Sequence, residues 1–236
     1  LRIIDLHDYQ GLIPGTIWRT TADLSSRCNL ECPGCGRTWA KKNKLLTIED
    51  WSIEDFEKFL LLNKEELKKL ILCQSLADAP NDKHFYERFI SRDKIHPLLE
   101  FQIESNGCSA STKTWEKVAH KLKKDDRIIW HVDGADHETN IIYRVNSKFS
   151  LIKKNIKIVN KILHDRGLYD KVTTDFRMIV FSHNYHQIYD AFDLSKELDC
   201  NTFSIIESDG RTPKEMRLSD EQSRSIGLIK SQLSTM

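Results

Sequence analysis

Half of this chain's six cysteines fall in one short stretch, Cys28-Asn29-Leu30-Glu31-Cys32-Pro33-Gly34-Cys35, directly after the first run of strand character, Ile17–Leu24. Three thiolates in such a loop can each hold one iron of a four-iron, four-sulfur cluster. The fourth iron is then left without a protein ligand and open to a small molecule. A closed structural zinc site asks instead for four ligands, as two CxxC-type pairs or with a following HxxxH, and neither pattern is present. Zinc or plain structural cysteines remain open as the other reading. A disulfide framework fits poorly, because the cysteines are close together and few for a chain of this length.

A loop of this kind needs elements on either side to fix it. Apolar, β-rich runs alternate along the chain with stretches of helical period, the pattern of parallel strands joined by crossover helices. Strands are expected at Ile17–Leu24, Leu70–Gln74, Leu99–Ser105, Arg127–Val132, Thr174–Phe181 and Thr202–Ile206. Helices are expected at Ile53–Leu62, Asp82–Ile90, Thr112–Lys123, Leu151–His164, Tyr185–Glu197 and Asp220–Leu233. Ser52 with Asp55, and Ser219 with Gln222, have N-cap spacing. Ile152, Ile156, Val159 and Leu163 form one apolar stripe that should pack on the sheet. Six right-handed βα units in succession predict an α/β fold, a partial (β/α)6 barrel with parallel strands and an N-terminal extension. Its site would lie at the C-terminal strand ends. One core domain is expected over residues 1–236, with the extension at 1–16, the barrel at 17–207 and a C-terminal helical segment at 208–236.

The 236 residues suffice to bury a substantial core. With 39% apolar and 30% charged residues the composition is that of a globular protein. The net charge of +1 gives no electrostatic argument for nucleic acid, which is not expected as a partner despite Trp18, Trp39 and the nearby lysines. No run approaches the roughly 20 apolar residues of a membrane span, and no signal-peptide pattern opens the chain. A cytoplasmic, reducing location is the expectation, and it suits thiolates meant for iron.

Polar residues gather where the strands are expected to end. The second is followed by Cys73-Gln74-Ser75-Leu76-Ala77-Asp78-Ala79-Pro80 and then Phe85. The third ends in Glu104-Ser105-Asn106-Gly107. The fourth ends in His131-Val132-Asp133-Gly134, with Tyr143-Arg144 and Phe149 beyond it. Together with the CxxxCxxC loop, this order and spacing resembles the radical S-adenosylmethionine (radical SAM) enzymes, over roughly Thr20 to Glu207. Asp78 and Phe85 match the family's acid and the phenylalanine that follows it, and Asn106-Gly107 matches its Thr-Asn-Gly segment. The fourth-strand group is similar to the Ser-Ile-Asp-Gly, Arg and Phe pattern of members that modify peptides and proteins, often with a C-terminal SPASM domain.

The resemblance implies a [4Fe-4S] cluster on Cys28, Cys32 and Cys35, with S-adenosyl-L-methionine chelated at the open iron. It implies cofactor-binding positions at Asp78, Ser105, Asn106, His131, Asp133 and Arg144. Asp78 would accept from the cofactor's ammonium, Arg144 would meet its carboxylate, and His131 stands where a serine contacts the cofactor. No side chain is assigned a catalytic role. The implied chemistry is reductive cleavage of the cofactor to a 5′-deoxyadenosyl radical that takes hydrogen from a substrate, foremost a peptide or protein. A small metabolite or nucleotide is the alternative substrate, and a non-catalytic zinc-binding or scaffold protein is the alternative of another class. The chain departs from the family at Gly34, where an aromatic usually lies near the adenine, and at Leu76 and Ala77, which replace glycines. Cys73, Cys108 and Cys200 are too scattered for an auxiliary cluster, and the fifth strand has no Gly-x-Ile-x-Gly motif. Arg19, Arg27, Arg37, Lys41, Lys42 and Lys44 surround the cysteine loop. They would form either a solvated face or a docking patch for a low-potential electron donor, flavodoxin or ferredoxin by the resemblance.

Overall fold

The computed structural model describes residues 18–72, 75–208 and 210–233. The expected N-terminal extension, Ile17, Cys73 and Gln74 lie outside them. Six strands form one sheet: β1 (Arg19–Ala22), β2 (Lys69–Leu72), β3 (Glu100–Ser105), β4 (Arg127–His131), β5 (Thr173–Val180) and β6 (Thr202–Glu207). Each strand lies beside its predecessor in the chain and every pairing is parallel, so β1 and β6 are the two edges. This is the order of a βα barrel opened after six units.

Alternation along the strands separates two faces. Leu70, Leu72, Phe101, Ile103, Ile128, Trp130, Phe176 and Met178 are buried in the apolar core beneath the helices. The residues between them, including Gln102, Glu104, Ile129, His131, Asp175 and Arg177, belong to the concave face. Trp115 lies against Trp130 with ring centroids 4.5 Å apart and against Phe85 at 5.8 Å.

Eight helices are described: α1 (Gly36–Lys42), α2 (Ile53–Leu62), α3 (Phe85–Ile95), α4 (Thr112–Ala119), α5 (His137–Tyr143), α6 (Phe149–Asp165), α7 (Ile188–Glu197) and α8 (Asp220–Leu233). The helices predicted as Ile53–Leu62 and Asp220–Leu233 keep those bounds because their caps form. Ser52 Oγ accepts from Asp55 N at 3.0 Å, and Ser219 exchanges two bonds with Gln222. The Ile152, Ile156, Val159 and Leu163 stripe of α6 is buried in the core. Helix α3 begins three residues later than its pattern suggests because Asp82 is committed to a turn, accepting from His84 N and from Arg88 Nε, each at 2.9 Å. Helix α4 stops at Ala119, before the expected Lys123, and the chain there turns toward β4 through Lys121 N to Val118 O. Tyr185–Gln187 is a 3-10 turn before α7. Helices α1 and α5 were not expected from periodicity, since each is seven residues long and too short to display a stripe.

Arg92 and Asp126 anchor α3 to the β3–β4 side of the sheet. Both are fully buried, and Arg92 Nη1 reaches the two carboxylate oxygens of Asp126 at 2.9 and 2.7 Å. Asp126 also accepts from Phe101 N at 2.7 Å, while Arg92 Nη2 donates to Lys121 O at 2.7 Å. Removing the cation leaves a buried carboxylate without its counter-charge. Arg92→Ala is therefore expected to cost about 3–5 kcal/mol in urea unfolding, and a loss under 1 kcal/mol would show that the pair behaves as a surface one.

Candidate active site

The cysteine loop leaves the C-terminal end of β1 and enters α1, for which Cys35 is the extended N-cap residue. Its amide donates to Cys32 O at 3.1 Å, closing the turn, and Glu31 N reaches Val145 O at 3.3 Å, tying the loop to the end of α5. Gly34 sits in a close approach. A Cβ there would lie 3.0 Å from Tyr143 Oη and 3.3 Å from the Arg211 carbonyl. The space an aromatic at position 34 would need is taken by Tyr143, whose ring packs on Phe181 at 4.2 Å, and Phe181 stacks on His183 at 5.4 Å.

Asp78, in the loop after β2, is the first hub of the site. Its carboxylate accepts from Ser105 Oγ at 3.0 Å, from Asn106 N at 2.6 Å, and from Ser109 Oγ. Burial pushes its pKa up against these three bonds. Asn106 faces the cysteine loop, donating to Asn29 Oδ1 at 2.9 Å and lying 3.9 Å from Cys28 Sγ. Asp133 is the second hub. It takes Arg144 Nε at 2.5 Å on one oxygen and Ile179 N at 2.8 Å on the other, fully buried. Gly134 beside it has no room for a side chain, because a Cβ would come 2.6 Å from Asn140 N. His131 lies on the concave face, with Nε2 3.0 Å from Glu104 Oε2.

The residues expected at the strand ends fall into two hydrogen-bonded networks, and His131 pairs with Glu104 outside both. Asp78, Ser105 and Asn106 surround Cys28, and Asp133 and Arg144 stand beside Cys32. Glu104, Asn29, Ser109 and Tyr143 belong to the same site and were not singled out. Each is next to, or a few residues from, a residue that was, and strand alternation alone would have put Glu104 on the face of His131.

Burial pushes the Cys28 thiol to about 12, with the charge of Asp78 adding to the shift. It pushes Cys32 to about 11, against the guanidinium of Arg144. Among the described residues no three His, Cys, Asp or Glu side chains are arranged to hold one metal ion. A cluster asks something different, since each thiolate meets its own iron. The donor set fits one: three thiols free of disulfides, a Leu30 amide 3.4 Å from Cys28 Sγ, and a buried cation beside Cys32. Arg144 Nη2 is buried without a partner, as a donor awaiting an anionic ligand would be.

The basic residues around the loop separate. Arg37 is buried and donates to Ser26 O at 3.0 Å, Arg27 pairs with Asp50 at 2.9 Å, and Lys41 pairs with Glu31 at 2.5 Å. Arg19 opens β1, at the opposite end of the sheet from the loop. Lys42 and Lys44 are exposed beside Trp39, which is 61% exposed.

No family model and no curated protein sequence matches the chain. Solved structures share its fold. Streptococcus suis SuiB bound to S-adenosylmethionine aligns with a TM-score of 0.68 at 15% identity, over 93% of this chain and 48% of SuiB. The enzyme anSMEcpe with bound AdoMet and Cp18Cys peptide aligns at 0.66 and 15% identity, over 91% of this chain and 58% of its own. Methylornithine synthase (PylB) aligns at 0.59 and 12% identity, over 89% and 61%. The chain thus spans about half the length of SuiB, and the likeness is one of fold.

The raised thiol pKa values make stability depend on pH. Their folded values exceed the ordinary 9.0, so the contribution of the neutral thiols is complete below about pH 9 and is lost as pH rises through 11 to 12. Metal-free protein is expected to lose more urea stability between about pH 8.5 and 10.5 than a Cys28→Ala/Cys32→Ala variant. Equal losses would show that these thiols are not held protonated by the fold.

Proposed function

We propose that this chain is a radical SAM enzyme that holds a [4Fe-4S] cluster on Cys28, Cys32 and Cys35 with S-adenosyl-L-methionine at the open iron, and acts on a peptide or protein. One observation carries the reading: a CxxxCxxC loop at the C-terminal mouth of a partial barrel lies beside Arg144, whose buried Nη2 has no partner. Solved structures of like fold include the radical SAM enzymes SuiB, anSMEcpe and PylB. SuiB and anSMEcpe have been seen with S-adenosylmethionine or AdoMet and with peptides, the precursor SuiA in the first case.

When bound and reduced, the cluster and S-adenosylmethionine supply a 5′-deoxyadenosyl radical able to take hydrogen from carbon. The residues of this chain bind and orient. Arg144, held at Nε by Asp133, turns its remaining N–H groups toward the cofactor's carboxylate, a charge-assisted contact. Asp78 is a buried acid pushed toward its neutral form, and a neighbouring ammonium would restore its charge. Tyr143 and Phe181 wall one side of the loop against water. A small-metabolite substrate is the second reading, favoured by the likeness to methylornithine synthase.

Anaerobic reconstitution with iron and sulfide, then dithionite and S-adenosylmethionine, should yield 5′-deoxyadenosine. A Cys28/Cys32/Cys35→Ala variant should yield none. A fully loaded four-iron protein that forms no 5′-deoxyadenosine would sink the enzyme reading, and a chain that takes up zinc and refuses iron would replace it with the scaffold one.

A low-potential donor such as flavodoxin or ferredoxin would meet the exposed face of Trp39, Lys42 and Lys44. Reversing charge at Lys41, Lys42 and Lys44 should slow cluster reduction by such a protein about tenfold or more, as electrostatic steering allows, and leave reduction by dithionite unchanged. Equal rates with the protein donor would remove this face from electron delivery.

A further inference from the structure

The concave face of the sheet carries a carboxylate–imidazole pair, His131 with Glu104, and only its histidine has a role by the resemblance, as a cofactor contact. Glu104 of β3 accepts from Gln102 Nε2 at 2.8 Å on Oε1, and its Oε2 lies 3.0 Å from His131 Nε2 on β4. Burial pushes the Glu104 carboxyl up, but the His131 and Gln102 hydrogen bonds outweigh it and leave the group below its ordinary value. An ionised carboxylate only accepts, so Nε2 must carry a proton. The lone pair of the neutral ring is then on Nδ1.

That Nδ1 is buried and has no partner. A buried acceptor left so is costly unless a ligand or an ordered water meets it. The charged groups around the ring are Glu104 on β3, Asp78 in the loop after β2, and Arg177 on β5, the register partner of His131. Arg177 is committed elsewhere, donating to Ser204 Oγ at 3.1 Å and to Asp175 Oδ2 at 3.0 Å. Asp78 spends its oxygens on Ser105, Asn106 and Ser109. Neither competes with Glu104 for the ring, and neither bonds to Nδ1.

We infer that His131 is a substrate-facing general base held by Glu104, and that the ligand in front of it offers an N–H or O–H, as an amide or an alcohol does. This rests on the reading of the strand ends as the active site. In the step, the substrate's N–H or O–H bond breaks with its electron pair staying on the heteroatom. A new Nδ1–H bond forms, and the resulting positive charge is balanced by Glu104. His131 is the catalytic residue and Glu104 a positioning residue.

The test is histidine-selective ¹⁵N NMR of the full chain in mildly alkaline buffer, with no cofactor. Wild-type His131 should show one tautomer, protonated at Nε2 and bare at Nδ1. Glu104→Ala should show a mixture of tautomers, which a role confined to packing would not produce. Titration with acetamide, an N–H donor the size of a peptide bond, should move the Nδ1 resonance of the wild type. A wild-type ring protonated at Nδ1, or an Nδ1 resonance unmoved by acetamide, overturns the inference, and the wild-type spectra decide this even if Glu104→Ala does not fold. Formation of 5′-deoxyadenosine tests the proposed function separately, so either result can fail while the other stands.

Discussion

A single buried carboxylate holds the C-terminal mouth of this barrel in shape. Asp133 receives the amide of Ile179 from β5 on one oxygen and the guanidinium of Arg144 on the other, its own amide donates to Asn140 in α5, and its carbonyl accepts from Asn184. Two stretches far apart in sequence, 133–144 and 179–184, thereby meet at one residue. A carboxylate out of water is costly unless its charge is paired and its lone pairs are filled, and here both conditions are met by groups that cannot move independently. The geometry of Arg144 is a consequence. With Nε fixed by Asp133, the plane of the guanidinium is set, the group lies beside Cys32, and Nη2 is left buried without a partner.

Asp78 does the corresponding work on the other side of the cysteine loop, and the two acids differ in a telling way. Asp133 has a full cation against it, whereas Asp78 is met by two hydroxyls and an amide, and burial pushes its pKa upward. Neutral donors offset part of the desolvation of a carboxylate but supply no counter-charge. The site therefore contains a donor without an acceptor at Arg144, beside Cys32, and an acid without a paired cation at Asp78, beside Cys28. A zwitterionic ligand, as proposed, would complement the two. That complementarity is the physical content of the proposed cofactor site, and it does not depend on sequence likeness to any relative.

Much of the scaffold was legible in the residues because each βα unit announces itself locally. The order of six strands follows from alternation between two periods, and Ser52 and Ser219 mark helix starts by spacing alone. What was not legible has specific causes. Helices α1 and α5 are each two turns long, so no apolar stripe could reveal them. The start of α3 is displaced because Asp82 is committed to a local turn, taking His84 N and Arg88 Nε, which capping spacing does not encode. In the site, Asp78, Asn106 and Asp133 stand at expected strand ends, but Ser109 and Asn29, which bond to the first two, and Tyr143, which lies against Gly34, were hidden because their importance is a matter of three-dimensional proximity. Gly34 is the clearest case. In sequence it is a missing aromatic, whereas in the fold it is a close approach that Tyr143 and the Arg211 carbonyl make necessary.

The openness of the sheet explains why so much polar chemistry can sit on its inner face. In a closed eight-stranded barrel the interior is filled by layers of branched apolar side chains, because it has no access to water and no room for a ligand. Six strands leave β1 and β6 unpaired with each other and the concave surface uncovered on one side. Gln102, Glu104, His131, Asp175, Arg177 and Ser204 are hydrogen-bonded in pairs and networks there, which offsets the cost of burying Gln102, Glu104 and Asp175. The face turned to the helices keeps the opposite character, with Phe101, Ile103, Ile128, Trp130 and Phe176 fully buried. One period-two pattern thus separates stability from chemistry: the side chains turned to the helices hold them on, and the alternate set carries the charged groups.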